Sequence, residues 1–99
     1  MAIVEVSVTP VGTSSASLGD IVAEMVKIAR KHGVKHELNA MGTNMEGDLE
    51  TLLKVCREMH EACFANRTPR VITEIRIDDR RDKNLTMEYK VKSVLEKVG

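Results

Sequence analysis

The chain has 99 residues and carries 15 Lys plus Arg against 15 Asp plus Glu, so its formal net charge is zero. That length suits a single domain over residues 1–99, and the balanced charge excludes a strong general attraction to nucleic acid or to an acidic membrane. Phe64 and Tyr89 are the aromatic residues, so the core must be aliphatic and sulfur-containing, and single-stranded nucleic acid would find too few rings for stacking.

The chain opens with a predicted strand and a predicted helix. Apolar and polar residues alternate over residues 2–9, which indicates a strand that Pro10 is expected to end. A loop of small residues, 11–16, follows. Ser17 is a candidate N-cap for a helix that runs to about His32, because apolar residues recur after it at the i, i+3, i+4, i+7 spacing.

The middle of the chain predicts a hairpin that leads directly into a second helix. Gly33 is expected to stop the first helix, and residues 34–41 alternate as a strand. Gly42 suits a tight turn into a short strand over residues 43–46. Asp48 can then accept from the free amides of a helix that begins there.

The second half of the chain repeats this pattern of strand and helix. The second helix covers residues 48–65, and residues 66–69 break it. Residues 70–78 alternate as a fourth strand, and residues 86–98 form a last amphipathic helix.

The order β-α-β-β-α-β plus a terminal helix predicts an α+β fold of the ferredoxin-like βαββαβ sandwich type. Two right-handed crossovers would give an antiparallel sheet of strand order 4-1-3-2 with both main helices on one face. The opposite face, called here the open face, would mix carboxylates and hydroxyls with isoleucines. We expect a partner subunit, the last helix or a ligand to cover it.

Three side chains on the second helix have two interpretations. Cys56, His60 and Cys63 lie on one helix face and are residue types that bind zinc. The same face must pack on the sheet, so buried reduced thiols and a packed histidine are the ordinary interpretation. A catalytic Cys-His pair lacks an identifiable orienting group. No metal site is predicted.

Four carboxylates gather on the predicted open face, namely Glu5, Glu37, Glu46 and Glu74. Paired carboxylates can perform acid–base chemistry or hold a metal, whereas cross-strand pairing with basic residues is their commoner use. The loop before Ser17 leads to a helix N-terminus, which favours anions, but it has a single glycine and no lysine. A nucleotide-binding P-loop is therefore not predicted.

The longest apolar run is far shorter than the ~20 residues that span a bilayer. The N-terminus also lacks the basic region and the cleavage site of a signal peptide. We therefore expect a cytoplasmic protein without a membrane partner.

Three separated segments resemble one family of small proteins. They are Glu5-Val6-Ser7-Val8-Thr9-Pro10-Val11-Gly12-Thr13, the hairpin Ala40-Met41-Gly42-Thr43-Asn44-Met45-Glu46-Gly47, and Ile75-Arg76-Ile77-Asp78-Asp79-Arg80-Arg81. Through them the chain, over essentially its whole length, is similar to the thiamine-binding protein family, formerly called domain of unknown function 77.

This resemblance implies a ferredoxin-like fold and a homotetramer, built as a dimer of dimers. It implies non-enzymatic binding of thiamine (vitamin B1) or of its hydroxymethylpyrimidine precursor, with no cofactor besides the ligand, no catalytic residues and no nucleic acid partner. Two alternatives stay open: a small oligomeric enzyme that uses Glu37 and Glu46 at a subunit boundary, and a structural oligomerisation module without a ligand.

Thiamine joins a flat aminopyrimidine to a permanently cationic thiazolium, so its pocket should offer hydroxyl or amide groups and one carboxylate. The candidate ligand-binding residues that fit this resemblance are Ser7, Thr9, Asn39 and Thr43 for polar contacts, Glu37 or Glu46 beside the cation, Met41, Met45 or Ile3 for apolar contact, and Ser17 in the loop that would close over the ligand.

Overall fold

The computed structural model describes residues 1–12, 18–65 and 68–99. Within them the elements follow in the order β1 (Ala2–Val11), α1 (Leu18–Lys31), β2 (Lys35–Asn39), β3 (Gly42–Gly47), α2 (Leu49–Ala65), β4 (Arg70–Asp79) and α3 (Met87–Val98). The expected N-cap Ser17, residues 13–16 of the predicted loop before it, and residues 66–67 at the start of the predicted helix break lie outside the described residues. In the described part, no helix combines the length and the hydrophobicity needed to cross a membrane.

The four strands form one antiparallel sheet in the order β2-β3-β1-β4, which is the predicted order 4-1-3-2 counted from the other edge. The two main helices pack on the same face, because buried residues of α1 and α2 join Val4, Val6 and Met45 in one core. Side chains alternate between the faces of a strand, so Ala2, Val4 and Val6 of β1 enter this core and Val8 packs against it. The predicted fold is confirmed.

The core is aliphatic and sulfur-containing, as the composition predicts. Its largest fully buried side chains are Met45, Leu52, Met59, Val4, Val55, Cys56 and Cys63. Both cysteines are free thiols, and burial raises the pKa of Cys56 to about 11. The thiols therefore act as small apolar core groups.

Two helix ends follow the sequence signals. The backbone N–H of Thr51 donates to Oδ2 of Asp48 at 3.1 Å, so Asp48 is the N-cap of α2. Gly33 has a φ of +68°, and its N–H donates to the carbonyl of Arg30 at 3.0 Å, so it ends α1 in a left-handed conformation that favours glycine.

The expectation that Pro10 ends the first strand is wrong. β1 continues to Val11, and Pro10 pairs with Val71 of β4. β3 flanks β1 only as far as Val6, so Pro10 lies where β1 has a single neighbouring strand. A residue without an N–H is tolerated at such a position because one edge needs no hydrogen bond.

The expectation that Gly42 forms the hairpin turn is also wrong. The turn is Ala40 and Met41, and Gly42 is the first residue of β3, paired with Asn39. Glycine is needed there for close approach, because a Cβ atom on Gly42 would lie 3.0 Å from the carbonyl oxygen of Val6.

One end of the open face is covered by α3. Met87 is buried, and its backbone N–H donates to Oε1 of Glu46 at 2.7 Å. Lys35 pairs with Glu88 at 2.6 Å, and Lys90 pairs with Asp78. The rest of α3 leaves its apolar side chains exposed, namely Val91, Val94, Leu95 and Val98.

Candidate functional site

A cleft of about 290 Å³ opens between the N-terminal end of α1, the β2–β3 hairpin and the second half of β1. The strand register explains its position. β3 pairs with β1 only as far as Val6, opposite Thr43, whereas β4 continues to Val11. From Ser7 onward one edge of β1 therefore has no strand partner among the described residues, and backbone N–H and C=O groups on that edge border the cleft.

The walls of the cleft are apolar and partly exposed to solvent. They comprise Leu18, Val22 and Met25 of α1, Leu38 and Met41 of the hairpin, and Met59 of α2. Leu18 is 58% exposed and Leu38 is 57% exposed, although both lie on the faces that carry the core elsewhere along their elements. Exposed apolar side chains that converge on a concave site are typical of a ligand pocket.

The structure brings together five of the predicted site residues in the lining of this cleft: Ser7, Thr9, Asn39, Met41 and Thr43. Thr43 is buried, whereas Thr9 and Asn39 are exposed. The polar members carry hydroxyl and amide groups, which can both donate and accept hydrogen bonds. The side chains of the described lining residues are uncharged, so the arrangement suits a ligand that combines apolar surface with neutral hydrogen-bonding groups.

The two predicted carboxylates lie outside the cleft. Glu46 is 8% exposed, and it accepts from the N–H of Met87 at 2.7 Å while its Oε2 lies 3.5 Å from Nζ of Lys35. Its side chain thus holds the start of α3. Glu37 is exposed on β2, opposite Asn44 of β3. The remaining candidate, Ser17, is outside the described residues.

The thiol and imidazole groups of α2 also lie apart from the cleft lining. His60 Nδ1 is 2.6 Å from Oγ1 of Thr73, and its ring packs edge-on against Phe64 with 5.3 Å between ring centroids. Cys56 and Cys63 are buried in the core. Burial favours the neutral thiol, and it raises the pKa of both cysteines.

Sequence reasoning predicted Met41 but missed the apolar residues of α1 that line the cleft. Leu18 and Val22 belong to the same helical stripe as the buried Ile21 and Met25, so periodicity alone assigns all four to the core. Leu18 and Val22 differ from the two buried residues by their place in the first turns of α1, beside the N-terminal end of β3. That relation depends on tertiary packing and is not visible in one segment.

Comparisons with known proteins agree over nearly the whole chain. A sequence-family model described as thiamine-binding protein matches residues 4–95. The UPF0045 protein YqgV of Bacillus subtilis is 43% identical over 98 residues, which cover 95% of this chain and 94% of that protein.

Solved structures share the fold. The crystal structure of the hypothetical protein MJ1052 of Methanocaldococcus jannaschii has a TM-score of 0.86 and 37% identity, covering 96% of this chain and 96% of that one. A candidate thiamine biosynthesis or salvage protein of Thermotoga maritima has a TM-score of 0.77 and 20% identity, covering 94% of this chain and 97% of that one.

Proposed function

The chain belongs to the thiamine-binding protein family, and from this premise we propose that it binds thiamine, or the hydroxymethylpyrimidine part of it, without catalysing a reaction. The observation that carries the proposal is the cleft between α1 and the hairpin, whose walls are apolar and whose polar groups are uncharged. Such a site holds a ligand by dispersion and by hydrogen bonds, and the vitamin is the ligand rather than a cofactor of further chemistry.

The aminopyrimidine ring matches the chemistry of this cleft. It is flat and apolar on its faces, and its edge presents donors and acceptors in one plane. The unpartnered edge of β1 at Ser7 and beyond offers backbone groups of the same kind, and Asn39 adds an amide that can donate and accept. Met41, which is exposed at the cleft, supplies a polarisable contact for a ring face in a chain with few aromatic residues.

As part of the same proposal, the chain is a cytoplasmic homotetramer arranged as a dimer of dimers, whose partners are further copies and a small molecule rather than nucleic acid or a membrane. Two separate apolar surfaces support this. One is the exposed stripe of α3 around Leu95, and the other is the edge strand β4, which exposes Ile75 and Ile77 on one face of the sheet. Exposed apolar surfaces of this kind are usually covered by association, and two of them allow two kinds of interface.

Isothermal titration with thiamine and with hydroxymethylpyrimidine tests the binding proposal, supported by thermal-shift measurements that include the thiamine phosphates. We expect saturable heats with one site per chain and a melting temperature that rises with ligand concentration, because a ligand that binds the folded state stabilises it. Flat heats and an unchanged melting temperature with every ligand would contradict the proposal and favour a structural module.

A matched pair of variants locates the site. Leu38→Glu places a charge on the exposed apolar wall of the cleft, and we expect it to abolish binding while the fold persists. Leu53→Glu makes the same change at a partly exposed position of α2 that does not line the cleft, and it should leave binding unchanged. Equal loss in both variants would place the ligand elsewhere.

A further inference from the structure

A second cavity, here called the acidic pocket, lies next to the cleft on the open face of the sheet. It has a volume of about 260 Å³ and is lined by Glu5, Ser7, Met41, Glu74 and Arg76. Ser7 and Met41 also line the cleft, so the two cavities share a wall. The wall lies beyond the N-terminal end of β3, where β1 continues beside β4 alone. A ligand can therefore extend from one cavity to the other around the tip of the hairpin.

The strand register determines the charge of the acidic pocket. β1 places Glu5 opposite Arg76 and Ser7 opposite Glu74, and these side chains point to the open face because Val4 and Val6 point to the core. Nη1 of Arg76 lies 3.6 Å from Oε1 of Glu5, so these two charges compensate each other. Glu74 has no ion-pair partner within the part of the chain that the structure describes. The pocket therefore carries one carboxylate in excess of its cations.

We propose that the acidic pocket receives the cationic thiazolium ring of thiamine, with Glu74 as the carboxylate that compensates its charge, while the pyrimidine ring occupies the cleft. This inference rests on the proposed function and adds the residue that distinguishes the whole vitamin from its neutral pyrimidine half. It replaces Glu37 and Glu46 in that role, since neither lines either cavity.

The shape of the ligand fits two adjoining cavities. The two rings of thiamine are joined by a single methylene group and cannot lie in one plane without strain, so the molecule bends at the link. Ser7 and Met41 stand at the corresponding place between the cavities. The Met41 side chain is 85% exposed, and a thioether makes favourable contacts with the edge of an aromatic ring.

The test measures the affinities of thiamine and of neutral hydroxymethylpyrimidine for the full chain and for Glu74→Gln by isothermal titration. The carboxylate is exposed, so we expect thiamine to bind roughly 2- to 5-fold more weakly to the variant, and the neutral pyrimidine to bind equally well to both proteins. Glu74→Lys, which replaces attraction with repulsion, should weaken thiamine binding by more, on the order of tenfold. Higher ionic strength should weaken thiamine binding alone.

Glu61→Gln is the matched control, because it removes the same charge from an exposed position of α2, on the other side of the sheet. It should leave both affinities unchanged. Equal weakening of both ligands by Glu74→Gln, or an unchanged thiamine affinity in both Glu74 variants, would overturn the acidic pocket as the thiazolium site and leave the cleft proposal standing. Failure of the unmodified chain to bind either ligand would overturn both.

Discussion

The backbone N–H of Met87 donates a hydrogen bond of 2.7 Å to Oε1 of Glu46, which lies 41 residues earlier in the chain. The first amides of a helix have no partner within the helix, and they form the positive end of its dipole, so a carboxylate is stabilised there. Glu46 is 8% exposed, so water cannot replace it readily. This bond attaches the start of α3 to the sheet.

We predict that Glu46→Ala detaches α3. The variant removes a charged hydrogen-bond partner from a buried N–H, which should weaken the docking of α3 on the sheet by about 1.5–3 kcal/mol. The weaker docking would appear as faster hydrogen exchange at the amides of Met87–Val98. Glu46→Gln keeps a hydrogen-bond acceptor, so its α3 amides should lose less protection from hydrogen exchange than those of Glu46→Ala. If Glu46→Ala instead abolishes thiamine binding with α3 protection unchanged, Glu46 acts on the ligand and not on the helix.

We predict that Gly42→Ala destabilises the hairpin. The new Cβ would lie 3.0 Å from the carbonyl oxygen of Val6, so the two backbones must move apart by a few tenths of an ångström, and we expect a cost of about 1–3 kcal/mol in the free energy of unfolding. Urea denaturation measures the loss. Ala40→Ser adds one atom at an exposed position of the same hairpin and should be neutral. An unchanged midpoint for Gly42→Ala would mean that the two backbones are not in close contact.

We predict a pH-dependent contribution from Glu58. Its Oε2 lies 2.7 Å from Nζ of Lys31 and its Oε1 lies 3.2 Å from Nε2 of His32, and the pKa of Glu58 is lowered chiefly by the hydrogen bond to Lys31 and then by the one to His32. A lowered pKa means that the folded state holds this proton less tightly than the unfolded state. The stabilisation is therefore present above the unfolded pKa of about 4.3 and is lost as the pH falls through the folded value.

Glu58→Gln should accordingly cost about 0.2–1 kcal/mol in the free energy of unfolding near neutral pH, the range for partly exposed ion pairs, and nothing in strong acid. Chemical denaturation of both proteins at two pH values measures the difference. Glu61→Gln on the same helix is the control. If Glu58→Gln loses the same free energy of unfolding in acid as near neutral pH, the variant has lost packing rather than a charge interaction.

We predict that the stability of the fold declines in alkali because of Cys56. Burial raises the pKa of this thiol to about 11, so the folded state keeps a proton that the unfolded chain releases at about pH 8.5. The stabilisation is complete below the unfolded pKa and falls by up to about 1.4 kcal/mol per pH unit as the pH rises toward the folded value. In Cys56→Ala the free energy of unfolding should fall less steeply as the pH rises, because unfolding of the variant releases about one proton fewer. Identical slopes in the two proteins would contradict this.

We predict that Leu95→Glu dissociates the proposed homotetramer. The Leu95 side chain is exposed on α3 beside Val91 and Val98, so the monomer should tolerate the charge, whereas an interface that buries this stripe should not. Light scattering coupled to size-exclusion chromatography measures the mass. Lys97→Glu introduces the same acid on the same helix and should preserve the oligomer. If Leu95→Glu and Lys97→Glu have the same mass, the apolar stripe of α3 is not part of the interface.

The sequence by itself determined the elements and their order in space. Alternation and helical spacing indicate which face of each segment packs on the core. The helix ends at Gly33 and Asp48 are predictable because their caps are contacts between residues at most five positions apart. The order β-α-β-β-α-β with right-handed crossovers then leaves one arrangement of the sheet. The segments that match the family are likewise visible without coordinates.

The position of the cleft was decided by the tertiary structure alone. It exists because β3 stops opposite Val6 while β4 follows β1 to Val11, and the length of pairing between two strands depends on both partners at once. The same register gives Glu74 its place in the acidic pocket, and a bond across 41 residues assigns Glu46 to α3. Contacts between distant segments carry no local pattern, so periodicity and capping signals could not show them.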